Sequence, residues 1–243
     1  MHFGHKQVRI SQESNKLKIM NISVKAYQHI RESLLNSGIY VGQKILHHEL
    51  GQKLGISNTP LREAMFRLVA EGLLSHENYK GFSVSAITFE EAVDIYETRE
   101  LIEPELAAKA AEAQAQHLDV FYKIQKRYEQ LMCEPYHRQR ILTDKKFHME
   151  IARLAQNQTL YNMLNQLYDK LILKSPVEQL SNERGRSAIV EHGEILDRLK
   201  SRNARAVYRL MKKHIQNQRD NVLANIQQRE KGERVPFSPL SKS

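Results

Sequence analysis

Apolar residues recur at helical spacing in the first third of the chain. Val24, Tyr27 and Ile30 lie three residues apart, and further apolar side chains continue the series to Leu35. This spacing places them on one face of an α-helix. Three helices are predicted in this region, over residues 23–36, 46–54 and 58–71.

Glycines and a polar stretch separate these elements. Gly55, Ile56 and Ser57 form a tight turn between the second and third predicted helices. After Gly72, the apolar segments 73–75 and 82–84 flank the polar residues 76–81, which predicts a small β-hairpin. Two helices, a turn, a third helix and a hairpin follow one another in the order typical of a winged helix.

The rest of the chain shows only helical periodicity. Six amphipathic stretches are predicted as helices, at residues 88–114, 116–132, 138–156, 159–174, 183–200 and 203–227. Short breaks between long helices are typical of an antiparallel helical bundle. The predicted fold is therefore mainly α-helical. It consists of a flexible arm, a winged helix-turn-helix, an all-α bundle and a flexible tail, at residues 1–20, 21–86, 87–228 and 229–243.

The charge of the chain narrows the class of partner. The formal net charge is +9, and the first 85 residues hold 11 basic against 6 acidic side chains. Such an excess favours a polyanion such as nucleic acid. No apolar run approaches the roughly 20 residues that span a bilayer, and the only cysteine is Cys133. We interpret the chain as a cytoplasmic protein with no membrane partner and no disulfide.

The start of the third predicted helix has the chemistry of a DNA contact. Ser57 or Thr59 is a suitable N-cap, and Pro60 is tolerated in the first turn. Asn58, Thr59 and Arg62 then lie at an exposed helix N-terminus, where amides and a guanidinium suit phosphate or guanine. Spacing alone leaves the alternative open that Arg62 is a solvated surface residue.

A second group of residues has the chemistry of a metal site. Asp144 and His148 lie at positions i and i+4 of one predicted helix, on the same face and about 6 Å apart. His192 and His214 lie on two later helices. One carboxylate and three imidazoles suit a divalent ion such as Zn²⁺, Ni²⁺ or Mn²⁺. The residues alone leave open that Asp144 and His148 form a surface ion pair.

Residues 24–85 resemble the winged helix of the GntR superfamily. The segment from Gly55 to Met65, with the sequence GISNTPLREAM, carries most of the likeness, and LVAEGLL at 68–74 continues it. The resemblance implies that the winged helix contacts operator DNA through its recognition helix and its wing. The DNA-binding residues predicted in this way are His48, Ser57, Asn58, Thr59, Arg62, Lys80 and Gly81. The family usually has arginine where this chain has Asn58, which puts base preference at that position in doubt.

The second half resembles the effector domain of the FadR branch of that superfamily, called the FCD domain. Its pattern is Asp-x-x-x-His followed by two later histidines, and Asp144, His148, His192 and His214 match it at the expected intervals. The resemblance implies one divalent metal per chain, bound by these four residues. Six helices indicate the smaller, VanR-like subgroup.

The resemblance also gives a role to Arg99 in the first bundle helix. An arginine at this position in family members points into the effector cavity and pairs with a carboxylate effector. The alternative is a surface ion pair with Glu100 or Glu103, which lie one and four residues further along the chain. Because both arrangements fit the spacing, we expect the effector role on the resemblance alone.

The leading hypothesis is a homodimeric transcription regulator, most simply a repressor, that binds operator DNA and responds to a small carboxylate effector. Two alternatives belong to other classes. The first is a metal-dependent hydrolase or lyase that uses Asp144 and the three histidines. It lacks an HExxH helix, and its nearest general base, Glu191, is expected to point away. The second is a nonspecific, nucleoid-type DNA binder.

Overall fold

The computed structural model describes residues 23–36, 41–113, 118–133, 137–175 and 182–231. The chain divides into two compact units, at residues 1–86 and 87–243. The predicted arm and most of the predicted tail lie outside the described residues.

The described part of the first unit contains three helices and a small sheet. Its described helices are α1 at residues 23–36, α2 at His47–Leu54 and α3 at Asn58–Ala70, and its strands are β1 at Lys44–Ile45, β2 at Ser75–Glu77 and β3 at Gly81–Ser83. The sheet is antiparallel in the order β1-β3-β2. The predicted winged helix is therefore confirmed in its order of elements, with an additional strand before α2.

The hairpin begins two residues later than predicted. The backbone amides of Leu73 and Leu74 both donate to the carbonyl of Leu68, and so they still close the end of α3. Both leucine side chains are buried in the core. Pairing with β3 therefore starts only at Ser75, opposite Ser83.

A close approach of backbone and side chain fixes the angle between α2 and α3. A Cβ atom at Gly51 would lie 2.9 Å from Leu61 Cδ2 and 3.0 Å from the carbonyl oxygen of Ile56. Gly55 ends α2 in the left-handed conformation, with φ of 63°, which glycine adopts without strain. These two glycines allow α3 to begin directly after a three-residue turn.

The described part of the second unit contains six helices and no strand. They are α4 at Phe89–Glu112, α5 at Asp119–Leu131, α6 at His137–Leu154, α7 at Gln158–Lys174, α8 at Asn182–Lys200 and α9 at Ala204–Glu230. α4 packs along α9, and α6 packs against α4, α5 and α7. Phe121, Phe147 and Ile215 are completely buried in the shared core. Helices at these positions agree with the six predicted from periodicity.

The last helix is longer than the sequence predicts. α9 continues to Glu230, three residues beyond the end that periodicity predicts at residue 227. Apolar positions persist as far as Ile226, which is 2% exposed, and the polar residues after it extend the helix by one turn. Among the described helices, none combines the length and apolarity that crossing a bilayer requires.

Candidate DNA-binding surface and metal site

The recognition segment at the start of α3 is exposed. Ser57, Asn58, Thr59 and Arg62 are all exposed, whereas the ring of Pro60 is buried. Ser57 occupies the N-cap position with extended backbone, as predicted, but its side chain makes no capping hydrogen bond. Free amides at a helix start attract anions because the helix dipole is positive there.

Arg62 lies beside an aromatic cluster on the same surface. Its guanidinium carbon is 5.9 Å from the centre of the Phe66 ring, one helical turn later. Phe66 is 42% exposed, and its ring contacts those of His76 and Phe82 at 5.0 and 5.3 Å. An aromatic face at this distance attracts a guanidinium, so the cluster limits the positions that Arg62 occupies.

The wing forms a tight turn between β2 and β3. Tyr79, at its tip, has a positive φ of 66° and is fully exposed, and Gly81 has φ of 84°. Lys80 Nζ lies 2.6 Å from Glu77 Oε2, and an exposed ion pair of this kind contributes little to stability. The ammonium can therefore exchange this carboxylate for a phosphate. His48, on α2, is exposed as well.

Three helices bring the four predicted metal ligands together. Asp144 and His148 come from α6, His192 from α8 and His214 from α9, and all four are buried. One ligand atom from each lies within 4.8 Å of the others. His214 Nε2 is 3.2 Å from His148 Nε2 and 3.3 Å from His192 Nε2. The surface ion pair considered for Asp144 and His148 is thus excluded by their burial.

The far side of two of the imidazoles faces a carboxylate. His148 Nδ1 is 2.6 Å from Glu103 Oε2, and His214 Nδ1 is 2.5 Å from Glu191 Oε2. A carboxylate accepts a hydrogen bond from a ring nitrogen that carries a hydrogen, so a neutral imidazole whose Nδ1 faces a carboxylate is left with a lone pair on Nε2. Two lone pairs then face each other at 3.2 Å. This arrangement repels itself unless a cation lies between the nitrogens.

These distances fit a metal ion. Nitrogens bound to zinc at about 2.0–2.1 Å lie about 2.8–3.4 Å apart when the angle between the bonds is about 90–109°. The two separations of 3.2 and 3.3 Å fall in that range. Asp144 Oδ1 is buried and accepts no hydrogen bond from the described residues. The donor set therefore fits a divalent ion.

The protonation states of the surrounding groups agree with this arrangement. Burial alone would raise the pKa of Glu103, but the charge of Arg99 and the contact with His148 outweigh it and hold this pKa at about 2. Burial would also raise the pKa of Glu191, but its hydrogen bonds with His214 and Arg184 outweigh burial and hold this pKa at about 2. Burial lowers the pKa of His214. Neutral imidazoles and ionised carboxylates are the forms that bind and support a metal.

Two further contacts position the remaining groups. The ring of His192 stacks on Phe147 at 3.9 Å, with the two planes 14° apart. Burial, reinforced by the neighbouring His214 and His148, lowers the pKa of His192 well below its usual range. The Gln218 amide nitrogen lies 2.9 Å from His214 Nε2 and 3.3 Å from Asp144 Oδ2, so this side chain borders the ligand atoms.

Arg99 forms an ion pair with Glu103, but the pair is buried. Arg99 Nε lies 2.5 Å from Glu103 Oε1, and the two side chains are 1% and 2% exposed. Arg99 Nη2 also donates to Tyr168 Oη at 2.5 Å and to Gln218 Oε1 at 3.1 Å. Of the two partners considered for a surface pair, Glu100 instead contacts Arg219. The spacing thus predicted one partner correctly, whereas the surface location is wrong.

A cavity of about 100 Å³ lies next to the ligand atoms, with Asp144 in its wall. Arg99 lines it, and so do Arg140 and Arg184, which were not predicted from the sequence. Helical periodicity could have found both, because Arg140 lies one turn before Asp144 and Arg184 two turns before His192. Tyr96, Tyr128 and Tyr168 line the cavity as well.

The carboxylates behind the histidines were also missed as functional residues. Glu191 contacts the far nitrogen of His214 and accepts two hydrogen bonds from Arg184, at 3.1 and 2.5 Å. Glu191 therefore lies behind the ligand histidine, and it points away from the ligand atoms as expected. A general base for a metal-bound water needs to face the open side of the metal, so Glu191 does not have the position that a hydrolase requires.

Comparison with known proteins gives matches to both units. The family described as the FCD domain matches residues 94–217, and the gntR family of bacterial regulatory proteins matches residues 22–84. The Uxu operon regulator of Haemophilus influenzae is 28% identical over 222 residues, which cover 81% of this chain and 82% of that protein. The HTH-type transcriptional regulator YdhC of Bacillus subtilis is 26% identical over 183 residues, which cover 74% and 81%.

Solved structures share the fold. E. coli McbR/YncC superimposes with a TM-score of 0.73 at 22% sequence identity, covering 86% of this chain and 98% of that one. A GntR regulator from Rhodococcus sp. RHA1 gives a TM-score of 0.72 at 17% identity, covering 83% and 97%.

Proposed function

The chain belongs to the GntR family of bacterial regulatory proteins and carries an FCD domain, and from this premise we propose that it is a metal-dependent repressor released by a small organic acid. It is a DNA-binding transcription regulator, like its named relatives, and not an enzyme. The proposal adds the metal, the effector, the sign of the response and the residues that carry each step. It also places the protein in the cytoplasm, where operator DNA is accessible.

The proposed metal ligands are Asp144, His148, His192 and His214. FCD domains typically hold a metal, and the buried donor set of this chain supports one divalent ion, either zinc, nickel or manganese. When bound, the ion supplies a Lewis-acidic centre beside the cavity. Glu103 and Glu191 hold the imidazoles in the tautomer that directs Nε2 toward the ion.

The proposed DNA-binding surface consists of the start of α3, the wing and one residue of α2. Arg62, Asn58 and Thr59 are assigned to the major groove and its phosphates, which the exposed helix N-terminus supports. The sugar-phosphate backbone of the DNA is assigned to Ser57, to His48 of α2, and to Lys80 and Gly81 of the wing. A homodimer presents two such surfaces to the half-sites of a palindromic operator.

The proposed effector binds in the cavity beside Arg99. Its carboxylate is attracted by a guanidinium that Glu103 and Tyr168 hold in one orientation. The end of α7 connects the cavity wall to the first residues of the second unit. Leu171 and Ser175 line the cavity, and the carbonyl of Lys174, between them, accepts a hydrogen bond from the amide of Ile87.

This contact suggests how the two sites communicate. Lys174 Nζ also lies 2.5 Å from Glu91 Oε2 in the first turn of α4. A shift of the last turn of α7 on effector binding therefore acts on Ile87 and Glu91, the segment that follows the DNA-binding unit. The effector then changes operator affinity by its difference in affinity for the two arrangements.

The observation that carries the proposal is the convergence of three imidazole Nε2 atoms and Asp144 in a buried site. Metal analysis of protein purified without chelator should find about one divalent ion per chain. His214→Ala should lose the ion, whereas His29→Ala, at an exposed position on α1, should keep it. A metal-free but fully folded wild type, or equal metal content in the two variants, would contradict the proposal.

A further inference from the structure

Phe66 is an apolar side chain on the exposed surface of α3. It is 42% exposed and lies one helical turn after Arg62. Successive residues of an α-helix are about 100° apart around the helix axis. Phe66 therefore lies about 40° from Arg62 and about 20° from Thr59, between the two. The ring belongs to the same face of α3 as the polar residues of the proposed DNA-binding surface.

The neighbouring side of α3 packs beside the first helix. Glu63 Oε2 accepts a hydrogen bond from the Ser23 hydroxyl at 2.5 Å. The guanidinium carbon of Arg67 is 4.1 Å from the centre of the Tyr27 ring. Ser23 and Tyr27 both belong to α1. The side of α3 that contacts α1 is thus turned about 60–100° away from Phe66.

The two long strands of the wing hold the Phe66 ring in place from one side. Its centre lies 5.0 Å from that of His76 on β2 and 5.3 Å from that of Phe82 on β3, with the planes at 59° and 72°. Tilted and edge contacts of this kind are favourable between aromatic rings. Phe82 is only 3% exposed, so it anchors the ring to the core. A ring that is already held in this way loses little conformational freedom when its open side is covered.

An apolar ring on this face has an apolar counterpart in the major groove. The edges of the bases present the 5-methyl group of thymine there, and phenylalanine is among the side chains that contact it. The phosphates and the donor and acceptor groups of the bases take polar partners instead. Burial of one methyl group against an apolar surface strengthens binding by about 4-fold. The exposed part of Phe66 therefore matches thymine in chemistry.

We propose that Phe66 is a specificity-determining residue, whose exposed ring packs against the 5-methyl group of a thymine in the operator. This inference rests on the proposed function, because it requires α3 to lie in the major groove. Phe66 is about 6 Å further along the helix axis than Arg62, which equals about two base pairs at about 3.4 Å each. The thymine therefore lies within about two base pairs of the base that Arg62 contacts. The contact adds a base preference without adding charge.

The test removes single methyl groups from the DNA and leaves the protein unchanged. In an operator selected from a random-sequence pool, each thymine is replaced in turn by deoxyuridine, which lacks only the 5-methyl group. Fluorescence anisotropy then measures binding of the full-length wild type. One replacement should weaken binding by about 4-fold. Its position should lie within about two base pairs of the one at which Arg62→Ala loses its base preference.

A variant of the protein completes the cycle. Phe66→Gln removes the ring and keeps a good helix former. It should bind the thymine and deoxyuridine operators within ~1.5-fold of each other, and the salt dependence of its binding should equal that of the wild type because no charge has changed. Tyr122→Gln, at an exposed aromatic residue of α5, is the matched control and should keep the discrimination of the wild type.

Two results would overturn the role of Phe66. One is a wild type that binds every deoxyuridine operator within ~1.5-fold of the parent operator, which decides the question even if Phe66→Gln does not fold. The other is a folded Phe66→Gln that keeps the discrimination of the wild type. Arg62→Ala separates this outcome from the proposed function. If Arg62→Ala weakens operator binding while no thymine is sensitive, only the role of Phe66 is wrong. If Arg62→Ala also binds like the wild type, the proposed DNA-binding surface fails with it.

Discussion

Glu191 provides a test of how the metal site is assembled, because it contacts a ligand without being one. Glu191→Gln keeps the size of the side chain and removes its charge. In the wild type, Glu191 Oε2 lies 2.5 Å from His214 Nδ1, while Oε1 accepts hydrogen bonds from Arg184 and Asn217 at 3.1 and 2.8 Å. The neutral amide makes His214 a weaker donor to the metal and frees it to adopt the other tautomer.

The expected effect is a weaker metal site in a protein that still folds. Removing a carboxylate behind a metal-bound histidine costs about 10–100-fold in metal affinity, or about 1.4–2.7 kcal/mol. The hydrogen bond from Arg184 to Glu191 loses its acceptor charge as well, which should lower the stability of the metal-free form by about 1–3 kcal/mol.

Competition with a chromophoric chelator measures the zinc affinity directly, and thermal unfolding of the metal-free protein measures the stability. Glu194→Gln is the matched control, because Glu194 lies on the same helix and is exposed. It should bind zinc as tightly as the wild type. If Glu191→Gln binds zinc within about 2-fold of the wild type, the carboxylate does not orient His214 and the reasoning is refuted.

Three further predictions concern the DNA-binding residue Arg62 and one glycine in each unit. Arg62→Ala should weaken binding to an operator selected from a random-sequence pool by at least ~10-fold in gel shifts, while Arg205→Ala on α9 should not; retained footprinting by Arg62→Ala would reject the assignment. Gly51→Ala should destabilise the protein by about 1–3 kcal/mol in thermal unfolding, because the new Cβ meets Leu61 Cδ2 at 2.9 Å. Gly193→Ala, with its nearest neighbour at 3.7 Å, should instead stabilise α8 by up to ~1 kcal/mol, and a loss of stability there would contradict the packing described.

Helical periodicity predicted the helices because each of them buries one face. It did not predict the shortest elements correctly. β1 has two residues, Lys44 and Ile45, too few for any period, and it forms only because β3 offers an edge next to it. The start of β2 was misplaced because Leu73 and Leu74, apolar like a strand, close the end of α3 instead.

The spacing of residues along the sequence predicted only part of the metal site. Asp144 and His148 share a helix, so their proximity followed from the i,i+4 relation. His192 and His214 come from two other helices, whose packing is tertiary, and their place in the cluster came from the resemblance to the FCD domain. Glu103 was considered only as a surface partner of Arg99, because the helical period does not show which face of α4 is covered by α7 and α9.

The cavity arginines show the same limit. Arg140 shares a helix face with Asp144, but the sequence contains many arginines at helical spacing from a carboxylate. Only packing against Met132 and Asn182 distinguishes this one, and those residues lie 8 and 42 positions away along the chain.

The most direct measurement of the central claim is an anomalous-difference map of the crystallised full-length protein, collected at the absorption edge of the metal found by elemental analysis. The account predicts one peak per chain within bonding distance of Asp144, His148, His192 and His214, at about 2.0–2.2 Å for zinc. A peak held by other residues, or a map without any peak in protein shown to contain the metal, would contradict it.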